Sequence, residues 1–226
     1  MRSKIVTFDE VYDMVRRTAE AIKASGFKAD TIVGLARGGW VPARLMCDFL
    51  GITDLISLKV EHWIETGKTK DEASIKYPLT ADLKGKRIVV VDDITDTGKS
   101  LVTSVEYLKR FGPKEMRVAV MQYIPGSKFK PDFFAQEVRE WTWFIYPWNW
   151  IEDTSTLILR LLQSDAARSW DLASISRGLK EFFEIEWDER MLERMLEVMV
   201  ERGQMEHVRR GKERLYRLKR AEAVHL

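Results

Sequence analysis

Apolar residues along the first two thirds of the chain follow two spacings, which predicts that helices and strands alternate. Residues 8–25 carry apolar side chains every three or four positions, as an amphipathic helix does, and Gly26 ends that segment. Short runs rich in β-branched residues indicate buried strands at 31–35, 55–60, 88–90 and 117–122. Alternating strands and helices predict an α/β fold, with a mostly parallel sheet flanked by helices.

The spacing changes after Asp153, where strand-like runs give way to helical ones. Helices are predicted at 156–163, 171–183 and 188–202. A hairpin turning at Gly211 follows them, and three helices with a hairpin resemble a winged helix-turn-helix domain. We therefore predict a larger α/β domain at 1–153 and a small winged-helix-like α+β domain at 154–226.

Composition narrows the class of protein without pointing to a function. The chain has 226 residues and a formal net charge of +2, so nothing global calls for nucleic acid or an acidic partner. Its one cysteine, Cys47, excludes a disulfide framework and a cysteine-rich zinc site. No stretch approaches the roughly 20 apolar residues of a membrane span, and the first residues do not resemble a signal peptide. We expect a soluble, cytoplasmic protein with no membrane partner.

The most informative stretch begins with two acids, Asp92 and Asp93, after a buried strand. A turn of small and hydroxylated residues follows, and a helical pattern starts near Lys99. The start of a helix offers free N–H groups and the positive end of its dipole to a phosphate. The two carboxylates can hold ribose hydroxyls directly or through Mg²⁺. Together these features predict a pocket for a phosphorylated sugar.

A nucleotide-triphosphate site of the P-loop type is excluded. The sequence Gly98-Lys99-Ser100 matches the end of the motif G-x-x-x-x-G-K-[ST]. That motif needs a glycine five residues before Gly98, where this chain has Asp93. A carboxylate at that position would repel the β- and γ-phosphates of a nucleotide.

A second loop, Arg37-Gly38-Gly39, also has the composition of an anion site. Two glycines let the backbone approach an anion closely, and successive N–H groups can surround it. Arg37 adds a forked, permanently charged donor that suits a phosphate.

These two stretches resemble the signatures of a known family. Residues 91–101 resemble the phosphoribosyl pyrophosphate (PRPP) motif of the type I phosphoribosyltransferases, and residues 36–42 resemble the pyrophosphate loop of the purine enzymes among them. The resemblance implies the type I phosphoribosyltransferase fold and Mg²⁺ held at Asp93. It also raises the question whether the Ala36–Arg37 peptide is cis. It assigns PRPP binding to Arg37, Gly38, Lys76, Asp92, Asp93, Ile94, Thr95, Asp96, Thr97, Gly98, Lys99 and Ser100.

The implied reaction is Mg²⁺-dependent transfer of 5-phosphoribosyl from PRPP to N9 of a 6-oxopurine, giving the nucleotide and pyrophosphate in purine salvage. By the same resemblance Asp96 lies near purine N7 and acts as the catalytic acid or base. The alternative for Asp96 is a helix N-cap. The polar stretch 66–82 is predicted to form a lid whose Lys76 contacts the pyrophosphate; a solvated lysine is the alternative there.

Four of the eight tryptophans fall between Trp141 and Trp150, in a segment that resembles one of bacterial xanthine-guanine phosphoribosyltransferases. The resemblance implies that Trp143 stacks on the purine and that the Phe144 backbone meets its exocyclic groups; a buried aromatic strand is the alternative. Those enzymes carry a purine-contacting lysine where this chain has Ile124. The choice among hypoxanthine, guanine and xanthine therefore stays open.

The expected partners are PRPP, a purine base and further copies of the chain, as a homo-oligomeric dimer or tetramer. A regulator that senses PRPP or a nucleotide and acts through the winged helix is the alternative function. DNA is possible but not favoured, because the third C-terminal helix carries a row of glutamates that would repel phosphates. These are Glu189, Glu193, Glu197 and Glu201, and they precede a basic hairpin.

Overall fold

A computed structural model describes residues 2–63, 72–211 and 213–219. The chain forms two compact units, one made of residues 8–141 and the other of residues 1–7 with 142–226. Part of the predicted 66–82 lid lies outside the described residues. None of the described helices is long and apolar enough to cross a membrane.

Strands and helices alternate through the first unit, as the apolar spacing predicts. The helices are α1 (Phe8–Ala24), α2 (Trp40–Leu50), α3 (Lys99–Lys109), α4 (Trp150–Gln163), α5 (Leu172–Phe183) and α6 (Glu189–Glu201), with a short 3₁₀ helix at Pro147–Asn149. The strands are β1 (Ser3–Ile5), β2 (Thr31–Ala36), β3 (Leu55–Trp63), β4 (Glu72–Ile75), β5 (Arg87–Thr95), β6 (Glu115–Tyr123), β7 (Phe133–Glu137), β8 (Trp143–Ile145), β9 (Met205–Arg210) and β10 (Glu213–Leu218).

The first unit is built on a six-stranded sheet in the order β4-β3-β2-β5-β6-β7. All neighbouring pairs are parallel except β3 and β4. From β2 the chain moves through α2 to β3 on one side, and from β5 it moves through α3 to β6 on the other. The strand order therefore reverses between β2 and β5, and ligands of such sheets bind at the carboxyl ends of the strands beside this point. The predicted α/β fold is confirmed.

The central strands are apolar because helices cover both faces of the sheet. Residues 88–91 of β5 are at most 1% exposed. On one face Ile88 and Val90 belong to the same cluster as Leu101 and Leu108 of α3, while α1 and α2 pack on the opposite face. Burial on two faces explains the continuous apolar run that marked this strand in the sequence.

Two local assignments differ from the sequence expectation. Strand β5 does not stop before the acids but continues to Thr95, since its pairing with β6 extends from Arg87 through Thr95, opposite Tyr123. Part of the segment predicted as a loop, Glu72–Ile75, forms the edge strand β4, because it pairs with β3 in antiparallel register. Strand formation here depends on hydrogen-bond partners in the sheet, which the polar local sequence does not reveal.

The second unit contains three helices and a hairpin. Apolar residues from α4, α5 and α6 share one core with the hairpin, including Leu157, Leu179, Leu196 and Tyr216. Trp170, just before α5, exchanges two backbone hydrogen bonds of 2.7 and 2.8 Å with Tyr216 of β10. The resulting order of helix, short strand, two helices and hairpin is typical of winged-helix domains, and that assignment stays a prediction.

The position of the predicted boundary at Asp153 stays a prediction too, although residue 153 lies inside α4. Strand β8 pairs in parallel with β1 near the amino terminus, and its Ile145 belongs to the core of α4–α6. Residues 142–153 therefore pack with the C-terminal helices.

We expect an ion pair at the amino-terminal edge of the sheet to make the free energy of unfolding depend on pH. The Arg87 guanidinium donates to both Asp30 carboxylate oxygens, at 2.9 and 3.1 Å, and this bonding lowers the pKa of Asp30 to about 2. A carboxyl with a depressed folded-state pKa stabilises the fold above its unfolded pKa of about 3.9, and the contribution is lost as pH falls towards 2.

We expect Asp30→Asn to lower the urea midpoint at pH 7, with the difference from wild type shrinking as pH falls from about 5 to 2. Urea melts at a series of pH values measure this, and the same change at the exposed Asp165 is the control. A difference that stays constant with pH would show that the ion pair is not its cause.

Candidate active site

The two loops predicted as anion sites meet at the carboxyl ends of β2 and β5. Gly38, after β2, lies so close to Asp93 of β5 that any side chain added at Gly38 would overlap the Asp93 carboxylate. The peptide bond between Ala36 and Arg37 is cis, which answers the question that the sequence left open. The sheet thus joins the glycine loop and the acidic pair into one site.

A cavity of about 320 Å³ opens beside this junction. Its lining comes from the end of β5, the turn after it and the first turn of α3. The lining residues are Asp92, Ile94, Thr95, Asp96, Thr97, Gly98, Lys99, Ser100 and Leu101. Because α3 begins at Lys99, its first backbone N–H groups and the positive end of its dipole lie at this cavity. An anion such as a phosphate is the ligand that this environment favours.

The turn before α3 depends on a glycine. Gly98 is the N-cap of α3 with a φ of +75°, in the left-handed region that favours glycine. A Cβ there would also lie 2.5 Å from Ser127 Oγ and 2.7 Å from the Phe129 nitrogen. Since Gly98 occupies the N-cap position of α3, the alternative that Asp96 is the N-cap is wrong. Asp96 is instead an exposed residue at the rim of the cavity.

The acidic pair is held by backbone hydrogen bonds. Asp92 Oδ1 accepts from the Asp93 N–H at 3.0 Å, and Asp93 Oδ1 accepts from the Ile94 N–H at 2.8 Å. Burial first, and then the negative charge of Asp93, raise the pKa of Asp92 well above its usual value. A bound cation, or hydroxyl groups that donate to these oxygens, would offset that unfavourable pairing of two carboxyls.

The donor set fits a cation that is shared with a ligand. Within the described parts of the chain, no group of three or more His, Cys, Asp or Glu side chains is arranged to hold a metal. Mg²⁺ commonly takes only one or two protein carboxylates and completes its shell with water and substrate phosphate oxygens. Asp93, adjacent to the glycine loop, is suited to that role.

The fold leaves no room for side chains at the two glycines of the glycine loop. A Cβ at Gly39 would overlap the Val91 carbonyl oxygen, and the Gly39 N–H donates to Leu35 O at 2.8 Å. The next residue, Trp40, begins α2, and its indole N–H donates to Ser57 Oγ at 2.5 Å. Arg37 is exposed at the start of this loop.

Lys76 is the one predicted PRPP-binding residue that lies apart from this junction. It follows β4 at the edge of the sheet, and β3 and β2 separate β4 from β5. Its N–H donates to Lys59 O at 3.0 Å, and its ammonium lies 5.6 Å from the centroid of the Tyr77 ring. Lys76 does not line the cavity, and its contact with PRPP stays a prediction.

Two of the three predicted purine-binding residues, Trp143 and Phe144, belong to the other compact unit, whereas Asp96 lies at the cavity. Trp143 is 40% exposed in β8, where its N–H donates to Arg2 O at 3.0 Å, and Phe144 is its half-buried neighbour. Trp148 stacks on Tyr146 with 5.0 Å between ring centroids. Trp150 donates its indole N–H to Val6 O at 3.1 Å. These contacts give Trp148 and Trp150 structural roles, whereas the roles of Trp143 and Phe144 stay predictions.

Sequence reasoning missed Ser127, which follows β6 and contacts the turn before α3. Its hydroxyl lies 2.9 Å from Thr95 Oγ1, and the next residue, Lys128, donates its N–H to Thr97 O at 3.0 Å. No spacing or motif in the sequence distinguishes this serine, which lies 31 positions after Asp96 along the chain.

Comparison with known proteins agrees with this geometry. The model of the phosphoribosyl transferase domain family matches residues 3–152. A xanthine-guanine phosphoribosyltransferase of Cereibacter sphaeroides is 31% identical over 151 residues, covering 63% of this chain and 86% of that protein. Its counterpart in Idiomarina loihiensis is 28% identical over 149 residues, covering 66% and 88%.

A solved structure of a purine phosphoribosyltransferase is also similar to this chain. The purine phosphoribosyltransferase from Pyrococcus horikoshii is 32% identical, with a TM-score of 0.59 over 66% of this chain and 95% of that one. The family model includes both loops of the site and ends before most of the C-terminal helices. The chain therefore belongs to the phosphoribosyltransferase family.

Proposed function

We propose that this protein transfers 5-phosphoribosyl from PRPP to N9 of a 6-oxopurine in a Mg²⁺-dependent reaction of purine salvage. The observation that carries this proposal is the contact of Gly38 with Asp93 beside the cavity at the start of α3. It provides one phosphate site on each side of an acidic pair, which is the arrangement that PRPP requires. The names of the purine-specific relatives support the choice of a purine.

Each part of PRPP has a matching group in the site. The 5′-phosphate occupies the cavity, where the residues from Thr95 to Ser100 offer backbone N–H groups and hydroxyls. The ribose hydroxyls donate to Asp92 and Asp93, and the pyrophosphate binds at Arg37 and Gly38. Asp93 would hold Mg²⁺, which would neutralise the charge that develops on the leaving pyrophosphate.

Asp96 acts as the general acid or base towards the purine in this proposal. Its carboxylate accepts a proton from N7, or returns one, as the bond between N9 and C1′ forms or breaks. The exposed position of Asp96 at the cavity rim supports this assignment, as does the N-cap of α3, which is Gly98 and not Asp96. Trp143 supplies a stacking face and the Phe144 backbone meets the exocyclic groups of the base.

A base panel tests the proposal. The full-length protein is incubated with PRPP, Mg²⁺ and, in turn, hypoxanthine, guanine, xanthine and adenine, and nucleotide is separated by chromatography. We expect nucleotide from one or more of the three 6-oxopurines and none from adenine. A protein that binds PRPP but forms no nucleotide with any base would overturn the proposed activity.

A regulator that senses PRPP or a nucleotide is the second candidate, and it rests on the order of elements in the C-terminal unit. The charges there argue against DNA. Arg214 of the hairpin donates to Glu197 of α6 at 2.7 Å and lies 3.7 Å from Glu193. An arginine engaged by these acids is less available to a DNA phosphate, and the acids themselves repel one.

Duplex DNA binding at low salt, with and without PRPP, separates the two functions. We expect no DNA binding, and DNA binding that responds to PRPP would favour the regulator.

The C-terminal unit is better suited to a protein partner or a second copy of the chain. Sedimentation of the full chain tests the proposed dimer or tetramer, and fractionation of cells tests the proposed cytoplasmic location.

A further inference from the structure

The loop after β6 is joined to the phosphate turn by a pair of hydroxyl groups. Ser127 Oγ lies 2.9 Å from Thr95 Oγ1, and it also accepts a hydrogen bond from the Phe129 N–H at 3.3 Å. A serine hydroxyl can donate one hydrogen bond while it accepts others. Ser127 can therefore hold Phe129 and Thr95 at the same time. Thr95 is only 2% exposed, so water does not readily replace this partner.

Backbone hydrogen bonds join the same two segments. The Ile124 N–H donates to Thr95 O at 3.1 Å, and the Lys128 N–H donates to Thr97 O at 3.0 Å. Gly98 packs directly against this loop, because a Cβ there would lie 2.5 Å from Ser127 Oγ. Phe129 anchors the loop in the apolar cluster that includes Leu101 of α3.

Ser127 occupies the centre of this contact, since its side chain reaches both Thr95 and the space beside Gly98. The cavity lining contains Thr95, Thr97 and Gly98 but not Ser127. Ser127 therefore acts on a ligand in the cavity only through the residues that surround that ligand.

We propose that Ser127 is a positioning residue that fixes the phosphate turn in the geometry that binds the 5′-phosphate of PRPP. The proposal rests on the proposed function. A phosphate cradled by several N–H groups is bound tightly only when those groups converge, so a small shift of the turn lowers affinity. The hydroxyl contributes to PRPP affinity although it does not touch the ligand.

The chain contains a matched control serine. In Ser25-Gly26-Phe27 the Ser25 hydroxyl accepts from the Phe27 N–H at 3.2 Å, just as Ser127 accepts from Phe129. Ser25 also donates to Ile22 O at 2.7 Å at the end of α1. Ser25 lies just before β2, at the amino-terminal edge of the sheet, whereas the cavity lies at its carboxyl-terminal edge.

Equilibrium binding of Mg²⁺-PRPP and of ribose 5-phosphate to full-length variants tests the proposal. We expect Ser127→Ala to weaken both ligands by a similar factor of about five to ten, as the loss of one supporting hydrogen bond predicts. Ser25→Ala should bind both ligands as wild type does, with a comparable change in melting temperature. In the enzymatic assay Ser127→Ala should raise KM for PRPP more than it lowers kcat.

A double-mutant cycle shows whether Ser127 acts through Thr95. Thr95→Val removes the same hydrogen bond from the other side, so the double variant should bind ribose 5-phosphate no more weakly than the weaker single variant. Additive losses, or wild-type affinity of Ser127→Ala for both ligands, would overturn the proposal. If wild type forms no nucleotide, the proposed function fails, while ribose 5-phosphate binding still decides the role of Ser127.

Discussion

Replacing Asp96 by asparagine is expected to lower kcat by about 10²-fold or more, with little change in affinity for PRPP. Asparagine keeps the size and most hydrogen bonds of the aspartate but cannot take or return a proton. Since Gly98 and not Asp96 is the N-cap of α3, the substitution leaves the N-cap residue unchanged. The loss should therefore fall on the proton transfer at purine N7 and spare the 5′-phosphate site.

Steady-state kinetics and PRPP binding, measured on the same preparation, separate these effects. Asp165→Asn is a matched control, because Asp165 is also an exposed acid in a turn, but it follows α4 and does not line the cavity. The control should keep wild-type kcat. Unchanged turnover in Asp96→Asn would mean that the carboxylate takes no part in the proton transfer.

Removing the charge of Asp93 should weaken PRPP binding rather than lower kcat. Asp93→Asn is expected to raise the Kd for PRPP by about tenfold or more in Mg²⁺, and to raise the Mg²⁺ concentration needed for half-maximal binding, because a neutral amide is a weaker Mg²⁺ ligand. The amide oxygen can still accept from the Ile94 N–H, so the local backbone should be retained. Titrations of PRPP at fixed Mg²⁺, and of Mg²⁺ at fixed PRPP, measure the two shifts.

Gly38→Ala tests the contact between Gly38 and Asp93 by changing the glycine loop. Its methyl group would overlap the Asp93 carboxylate, so PRPP binding should weaken although no charge is removed. Gly26→Ala is the control, because it places a methyl group in open space with an unfavourable φ of +76° and should change stability alone.

If Asp93→Asn leaves PRPP affinity and Mg²⁺ dependence unchanged, the acidic pair has been assigned wrongly.

The elements of the fold that depend on local pattern were predictable from the sequence. The apolar spacing predicted α1, and the β-branched runs predicted the buried strands β2 and β5, because side-chain period and burial are linked directly. The site could be anticipated to the extent that it consists of contiguous residues. All the predicted residues from Ile94 to Ser100 line the cavity, together with Asp92, because one turn between a strand and a helix presents them all.

Features that depend on hydrogen bonds between distant segments were not predictable in this way. The sequence could not show that β5 continues past Asp93, since that depends on pairing with β6. It could not show that β8 pairs with β1, which places Ile145 in the core of the C-terminal helices. It could not show that Lys76, predicted to belong to a lid, follows an edge strand whose partner is β3.

The sequence by itself determined the alternation of helices and strands, the acidic pair with its phosphate turn, and the glycine loop. These depend on neighbouring residues, whose side-chain spacing and backbone freedom act locally. Only the tertiary structure decided that Gly38 lies against Asp93 and that Ser127 reaches Thr95. Both contacts join segments far apart along the chain, and they exist because parallel strands bring their carboxyl ends to one edge of the sheet.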